Sequence, residues 1–182
     1  MNIPAQIVGI IGLIVITVGM QSKNKKNMLL AQTITNSCFM IQYFMLGAIT
    51  GAVMYIVNTI RTFTFYTWDK KYKPNIFLLL IFVILAIGFG VYTYKGIYSL
   101  LPIIGSLAST YGGWQKEAKI MRVGMMISSS ILIIHDLHFG AYSGMMTYIF
   151  VFSSSLISFI RFDILKKDLK LKNELEGEIN NG

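Results

Sequence analysis

Two pairs of polar side chains stand in stretches that are otherwise almost wholly apolar: Gln32 with Asn36, four residues apart, and Asn58 with Arg61, three apart. Those spacings place both members of a pair on one face of a helix. Amides beside a guanidinium supply hydrogen-bond donors, acceptors and one fixed positive charge, which is chemistry for holding a small polar or anionic solute. Tyr55 and Thr62 fall near Asn58 and Arg61 on the same side. His135, Asp136 and His138 form a third group with metal-binding residue types. One turn supplies too few ligands at poor spacing for a metal, so no metal is expected there. We read it as an outer turn, with His135 and Asp136 as gating or entrance residues. No Walker loop, zincin helix or nucleophile elbow occurs, so the residues point to binding rather than catalysis, and to no cofactor.

Composition says what kind of element holds these residues. Of 182 residues, 54% are hydrophobic and 13% charged, with a mean hydropathy of +0.61. A soluble domain carries about 25% charged residues. Seven apolar stretches are long enough, or nearly so, to cross a bilayer as helices: Ile3–Met20, Met28–Leu46, Ala48–Thr67, Asn75–Tyr94, Ile97–Gly113, Ile120–Leu137 and Ala141–Ile160. The alternating ~10-residue segments of a membrane β-barrel are missing. The expected fold is therefore an all-α integral membrane protein. The single cysteine, Cys38, lies mid-span and implies no disulfide framework. The N-terminus lacks the basic region and cleavage site of a secretory signal, so the first span is read as uncleaved.

The net charge of +8 would suggest nucleic acid in a soluble protein, but here the charges sit between spans and the expected partner is the lipid bilayer. With the N-terminus outside, the inner loops and tail hold fifteen basic residues, among them Lys23, Lys26, Arg61, Lys116, Arg122 and Arg161, and the outside holds only Lys95. The positive-inside rule then places the C-terminus in the cytoplasm.

The chain also matches itself. An offset of ninety-three residues, without a gap, lays Val8–Tyr66 on Leu101–Phe159. Gly12/Gly105, Thr17/Thr110, Gly19/Gly112, Lys26/Lys119, Gly47/Gly140, Gly51/Gly144 and Tyr55/Tyr148 coincide. Gapless self-similarity marks duplicated structural units. Spans one to three would form one unit and spans five to seven the other, and span four restores the direction so that the two run parallel. The glycines allow the close helix approach on which association in lipid depends. The expected segments are residues 1–67, the first repeat; 68–96, an inner loop and linker helix; 97–161, the second repeat; and 162–182, a charged cytoplasmic tail.

Polar groups inside a bilayer are costly unless partnered, so each is a candidate site. Asn58 lies ten residues past Ala48, about 15 Å deep at 1.5 Å per residue and near the midplane. The competing reading for Asn58, Gln32 and Asn36 is plain interhelical hydrogen bonding, and Arg61 could instead snorkel to the inner interface. The repeat carries Asn58 onto Val151, Arg61 onto Ser154 and Gln32 onto Met125, so any pocket is more polar on the first unit's side. Ser153, Ser154, Ser155 and Ser158 could face Asn58 or back-bond to their own helix. No Asp or Glu lies inside a span, which disfavours proton or sodium coupling.

At the outer-turn Gly47-Ala48 followed by Asn58-x-x-Arg61, the sequence resembles the YgjV family of bacterial inner membrane proteins, over most of its length. The three-plus-one-plus-three arrangement is similar to that of SWEET and PQ-loop transporters. That resemblance implies a solute site between the two units, with the mid-membrane asparagine matched by Asn58. The sequence departs from the SWEET pattern in lacking a mid-helix proline in the first span and in placing Val151 where the partner asparagine would be.

The expectation is a small-solute transporter or facilitator, not an enzyme and not proton-coupled, with substrate held by Asn58, Arg61, Gln32 and Asn36. Arg61 favours a carboxylate or phosphate. The alternative is a non-transporting membrane receptor or scaffold of the same fold, and homo-oligomers are compatible with either.

Overall fold

The computed structural model describes residues 3–47, 49–68, 75–92, 97–138 and 142–165. The lysines Lys70, Lys71, Lys73 and Lys95, Gly140 and the tail from Lys166 lie outside the described residues. Seven α-helices account for nearly everything described, and no strand occurs among those residues: α1 Ile3–Met20, α2 Lys25–Met45, α3 Ile49–Trp68, α4 Ile76–Tyr92, α5 Leu100–Trp114, α6 Ala118–His138 and α7 Tyr142–Phe159. Three stretches, Ile3–Met20, Ala118–His135 and Gly144–Ile164, are long and apolar enough to cross a membrane, and Ile76–Phe89 is a shorter apolar helix.

The boundaries follow local chemistry. Helix α2 begins three residues before the expected span because Asn24 caps it, its side chain accepting from the Lys26 amide at 3.0 Å. It ends at Met45, and just past its cap Leu46 comes Gly47, which adopts φ 73° and whose amide donates to the Phe44 carbonyl. Helix α5 starts after a 3₁₀ turn, Ile97–Ser99, with Pro102 in its first turn, where the missing N–H costs no helical bond. Helix α7 does not stop at Ile160 but runs on through a π turn, Ile160–Ile164, so Phe162 and Asp163 belong to the bundle and not to a solvated tail.

Packing orders the helices. In α1 the buried residues Ala5, Gly9, Gly12, Ile16 and Met20 recur at helical spacing, while Ile3, Ile7, Ile10, Ile14 and Val18 point outward. Helix α2 packs on both α1 and α3, and α6 on both α5 and α7; α3 meets α5 and α7 meets α1, so the contacts close into a ring. Helix α4 packs on α5 and touches α3 through Phe82 against Phe65, ring centroids 5.5 Å apart.

The contacts recur at the offset of the sequence repeat. A Cβ added at Gly12 would meet the Thr35 carbonyl, and one at Gly105 the Ser128 carbonyl. Gly19 packs on Ala31 as Gly112 packs on Gly124. The Thr17 hydroxyl donates to the Leu13 carbonyl at 2.8 Å, and Thr110 to the Ser106 carbonyl at 2.6 Å. The Lys26 ammonium sits 4.7 Å from the Tyr66 ring centre, and the Lys119 ammonium 5.9 Å from that of Phe159.

One end of the bundle is tied across helices by a buried ion pair. Arg122, at the start of α6, donates to Asp163 at 2.6 Å and to the Ser22 carbonyl at 2.9 Å, with the Phe162 ring 5.2 Å away. The π turn carries Asp163 there. Such single-turn irregularities are frequent at functional sites.

Candidate functional site

Two adjoining cavities lie inside the bundle. The larger, about 350 Å³, is bounded by α3, α4, α5, α6 and α7, with Phe82, Pro102, Ser106 and His135 in its wall. The smaller, about 140 Å³, lies where α2, α3, α6 and α7 face one another. Both are lined by Asn58, Arg61, Ser109, Ser128, Leu132 and Tyr148.

All four residues expected to bind solute, Gln32, Asn36, Asn58 and Arg61, line the smaller cavity. Arg61 is buried and does not snorkel. Its Nη1 donates to Thr110 Oγ1 at 2.7 Å and, more weakly, to Ser106 Oγ at 3.4 Å. The Thr110 hydroxyl gives its own proton to the Ser106 carbonyl, which leaves its lone pairs for the guanidinium. No carboxylate pairs with Arg61 among the described residues.

The amides divide. Asn36 Nδ2 reaches Thr62 Oγ1 at 3.5 Å, and Gln32 Nε2 reaches the Met125 sulfur at 3.5 Å, so both make weak interhelical contacts. The Asn58 side chain makes no hydrogen bond among the described residues; only its carbonyl is used, by Thr62 at 3.0 Å. Thr62 also accepts from Thr33 at 3.1 Å, so it fixes α2 against α3 just behind the cavity wall. An amide held half-buried in a cavity wall without a protein partner is available to a ligand.

The lining repeats as well. Gln32/Met125, Thr35/Ser128, Asn36/Ser129, Phe39/Leu132, Tyr55/Tyr148 and Asn58/Val151 are pairs ninety-three residues apart, and both members of each line the smaller cavity. Residues ninety-three apart in the sequence thus wall one cavity together. The polarity is one-sided, with Gln32, Asn36, Asn58 and Arg61 opposed by Met125, Ser129 and Val151.

The remaining candidates scatter. Ser154 faces α1, donating to the Thr17 carbonyl at 2.6 Å and accepting from Gln21 at 2.9 Å. Ser153 is exposed, and the buried hydroxyls of Ser155 and Ser158 have no partner among the described residues. His135 lines the larger cavity, His138 stacks on Tyr98 with ring centres 3.6 Å apart, and the Asp136 side chain lies outside what the structure describes. No group of metal-ligating side chains occurs among the described residues. Ser106, Ser109, Ser128 and Tyr148 are lining residues that the sequence did not single out as a site. The coincidences Thr17/Thr110 and Tyr55/Tyr148 were the available signal.

Outward-facing Ile, Leu and Phe around an interior of buried Gln, Asn, Thr, Ser and Arg is the polarity of a protein that lives in hydrocarbon. This is a polytopic α-helical membrane protein with a polar internal cavity. The chain belongs to the Imp-YgjV family, bacterial inner membrane proteins, which it matches over residues 3–166. Among curated proteins it is similar to the inner membrane protein YgjV of Escherichia coli (strain K12), 24% identical over 142 residues, covering 78% of this chain and 75% of that protein. No solved structure matches it.

Proposed function

We propose that this protein is a small-solute transporter or facilitator, built as two parallel three-helix units, α1–α3 and α5–α7, joined by α4. The observation that carries the proposal is the smaller cavity: many polar side chains line it, it is walled by repeat-related residues, and its Asn58 amide has no protein partner among the described residues. Sites at the interface of internal repeats suit alternating access, because rocking one unit against the other exposes a fixed site to each side in turn. The recurrence of Gly12–Thr35 as Gly105–Ser128 and of Lys26–Tyr66 as Lys119–Phe159 supports two equivalent units. No Asp or Glu lines either cavity among the described residues, which favours movement without proton coupling. The chain carries no catalytic role and binds no nucleic acid in this reading; its partners are lipid and solute.

The positive-inside rule puts the N-terminus outside and the C-terminus in the cytoplasm. A fluorescent protein fused at the C-terminus then fluoresces in cells, and a periplasmic alkaline phosphatase fused there is inactive.

The test of transport is a panel of sugars, nucleosides, amino acids and organic acids, screened by thermal shift on purified wild type and Asn58→Ala. A ligand raises the melting temperature with concentration by mass action. Hits are followed by uptake into proteoliposomes. A shift lost in Asn58→Ala, with uptake to match, supports the proposal. Binding without uptake, or no binding by a folded protein, transfers the weight to a receptor or scaffold.

A further inference from the structure

We infer that the site shared by the two cavities takes a small hydroxylated monocarboxylate, its carboxylate on Arg61. This deepens the solute-transport reading and rests on it. Arg61 is buried, and its protein partners are the neutral hydroxyls of Thr110 and Ser106, both on Nη1. Its Nη2 and Nε make no hydrogen bond among the described residues, and the side chain lines both cavities. A buried cation without a counter-charge is strongly unfavourable unless something supplies the charge. A carboxylate fits the open edge of the planar guanidinium fork in two parallel hydrogen bonds.

The number of charges follows from the lining. Arg61 is the one fixed charge in the smaller cavity's described wall. A dicarboxylate or a phosphate monoester, which carries about −1.5 to −2 at pH 7, would bring more negative charge than Arg61 balances. The ammonium of a zwitterion would find no carboxylate acceptor in the described wall. The other polar groups shared by the two cavities, Asn58, Ser109, Ser128 and Tyr148, are neutral donors and acceptors suited to hydroxyls. The smaller cavity, about 140 Å³, compares with the ~150 Å³ cavity that accepts benzene, so the solute has about six to ten heavy atoms.

The experiment measures binding by thermal shift, and uptake into proteoliposomes, for D- and L-lactate and glycerate. The same assays are run with lactamide, glycerol, malate, glycerol phosphate and glycine. In wild type, lactate or glycerate binds about 10- to 100-fold tighter than lactamide, the worth of a charge-assisted hydrogen bond, and is taken up. In Arg61→Gln that preference collapses. The wild-type comparison of acid with amide stands even where a variant fails to fold. Equal binding of lactamide and lactate, tighter binding of malate or glycerol phosphate, or an unchanged preference in folded Arg61→Gln overturns the monocarboxylate and leaves solute transport standing. If only glycerol or glycine binds and moves, the site is neutral or zwitterion-selective and the inference fails alone. If nothing in this panel or the wider one binds or moves, both readings fall.

Discussion

Gln32 and Met125 occupy equivalent positions in the two halves of the sequence, and in the structure they touch each other, amide nitrogen to sulfur at 3.5 Å. The proposed two-unit arrangement requires such a meeting, because residues related by a two-fold meet only near its axis. The same arrangement explains the two seams of the ring. Arg61 on α3 reaches Thr110 on α5, and its equivalent Ser154 on α7 reaches the Thr17 carbonyl on α1, Thr17 being the equivalent of Thr110. The sequence repeat thus extends to side-chain contacts, and the two halves differ at Arg61, whose equivalent is Ser154.

Cysteines placed at the axis should report it directly. In a Cys38→Ser background, the pair Gln32→Cys and Met125→Cys is expected to be joined within one chain by a short thiol-reactive crosslinker. Ile34 and Ile127 are also repeat partners, but both face outward, and cysteines there should stay unlinked within a chain. Gel mobility separates the outcomes. Linkage of the outer pair and not the inner would dismantle the ring.

The small residues between α5 and α6 bring backbone against backbone. A Cβ at Gly124 would lie 2.8 Å from the Ala108 carbonyl and 3.1 Å from the Gly112 Cα, backbone atoms that cannot step aside. Gly88 on α4 has nothing within 4 Å. Gly124→Ala should cost about 1–3 kcal/mol through overpacking, a fall of several degrees in melting temperature, while Gly88→Ala changes little. A neutral Gly124→Ala would mean that α6 sits farther from α5 than described.

The sequence announced this packing because glycines at Gly12/Gly105 and Gly19/Gly112 can only coincide usefully at a repeated helix contact. Gln32, Asn36, Asn58 and Arg61 were also legible, since an intramembrane amide or guanidinium stands out against Ile and Leu. Ser109 and Ser128 were not, because serine is tolerated almost anywhere in a helix by back-bonding. The Arg122–Asp163 pair was hidden for a different reason. Its members are forty-one residues apart, and the π turn that aims Asp163 inward leaves no mark in hydrophobic periodicity.

That pair should be a structural strut. Arg122 is 1% exposed and Asp163 15%, and truncating one partner of a buried pair strands the other charge. Arg122→Met and Asp163→Asn are each expected to destabilise by about 3–5 kcal/mol. Arg122→Met combined with Asp163→Leu should recover much of that loss, because no charge is left unpaired. Additive losses in this double-mutant cycle, read by thermal denaturation in detergent, would argue against the pair.

Arg61 should behave in the opposite way, and the contrast separates a binding residue from a strut. Both arginines are buried, but among the described residues Arg122 pairs with a carboxylate while Arg61 donates only to hydroxyls. The ligand-free protein therefore bears the desolvation of Arg61 without a compensating charge, and sites kept for binding commonly sacrifice stability in this manner. Arg61→Met, similar in length and apolar, is expected to leave the ligand-free melting temperature unchanged or to raise it by about 2–4 °C, equivalent to ~1 kcal/mol. It also removes the stabilisation that a saturating carboxylate gives the wild type, so the ranking of the two proteins narrows or reverses once ligand is added. A ligand-free loss as large as that of Arg122→Met would make Arg61 a strut between α3 and α5, its bond to Thr110 structural in purpose.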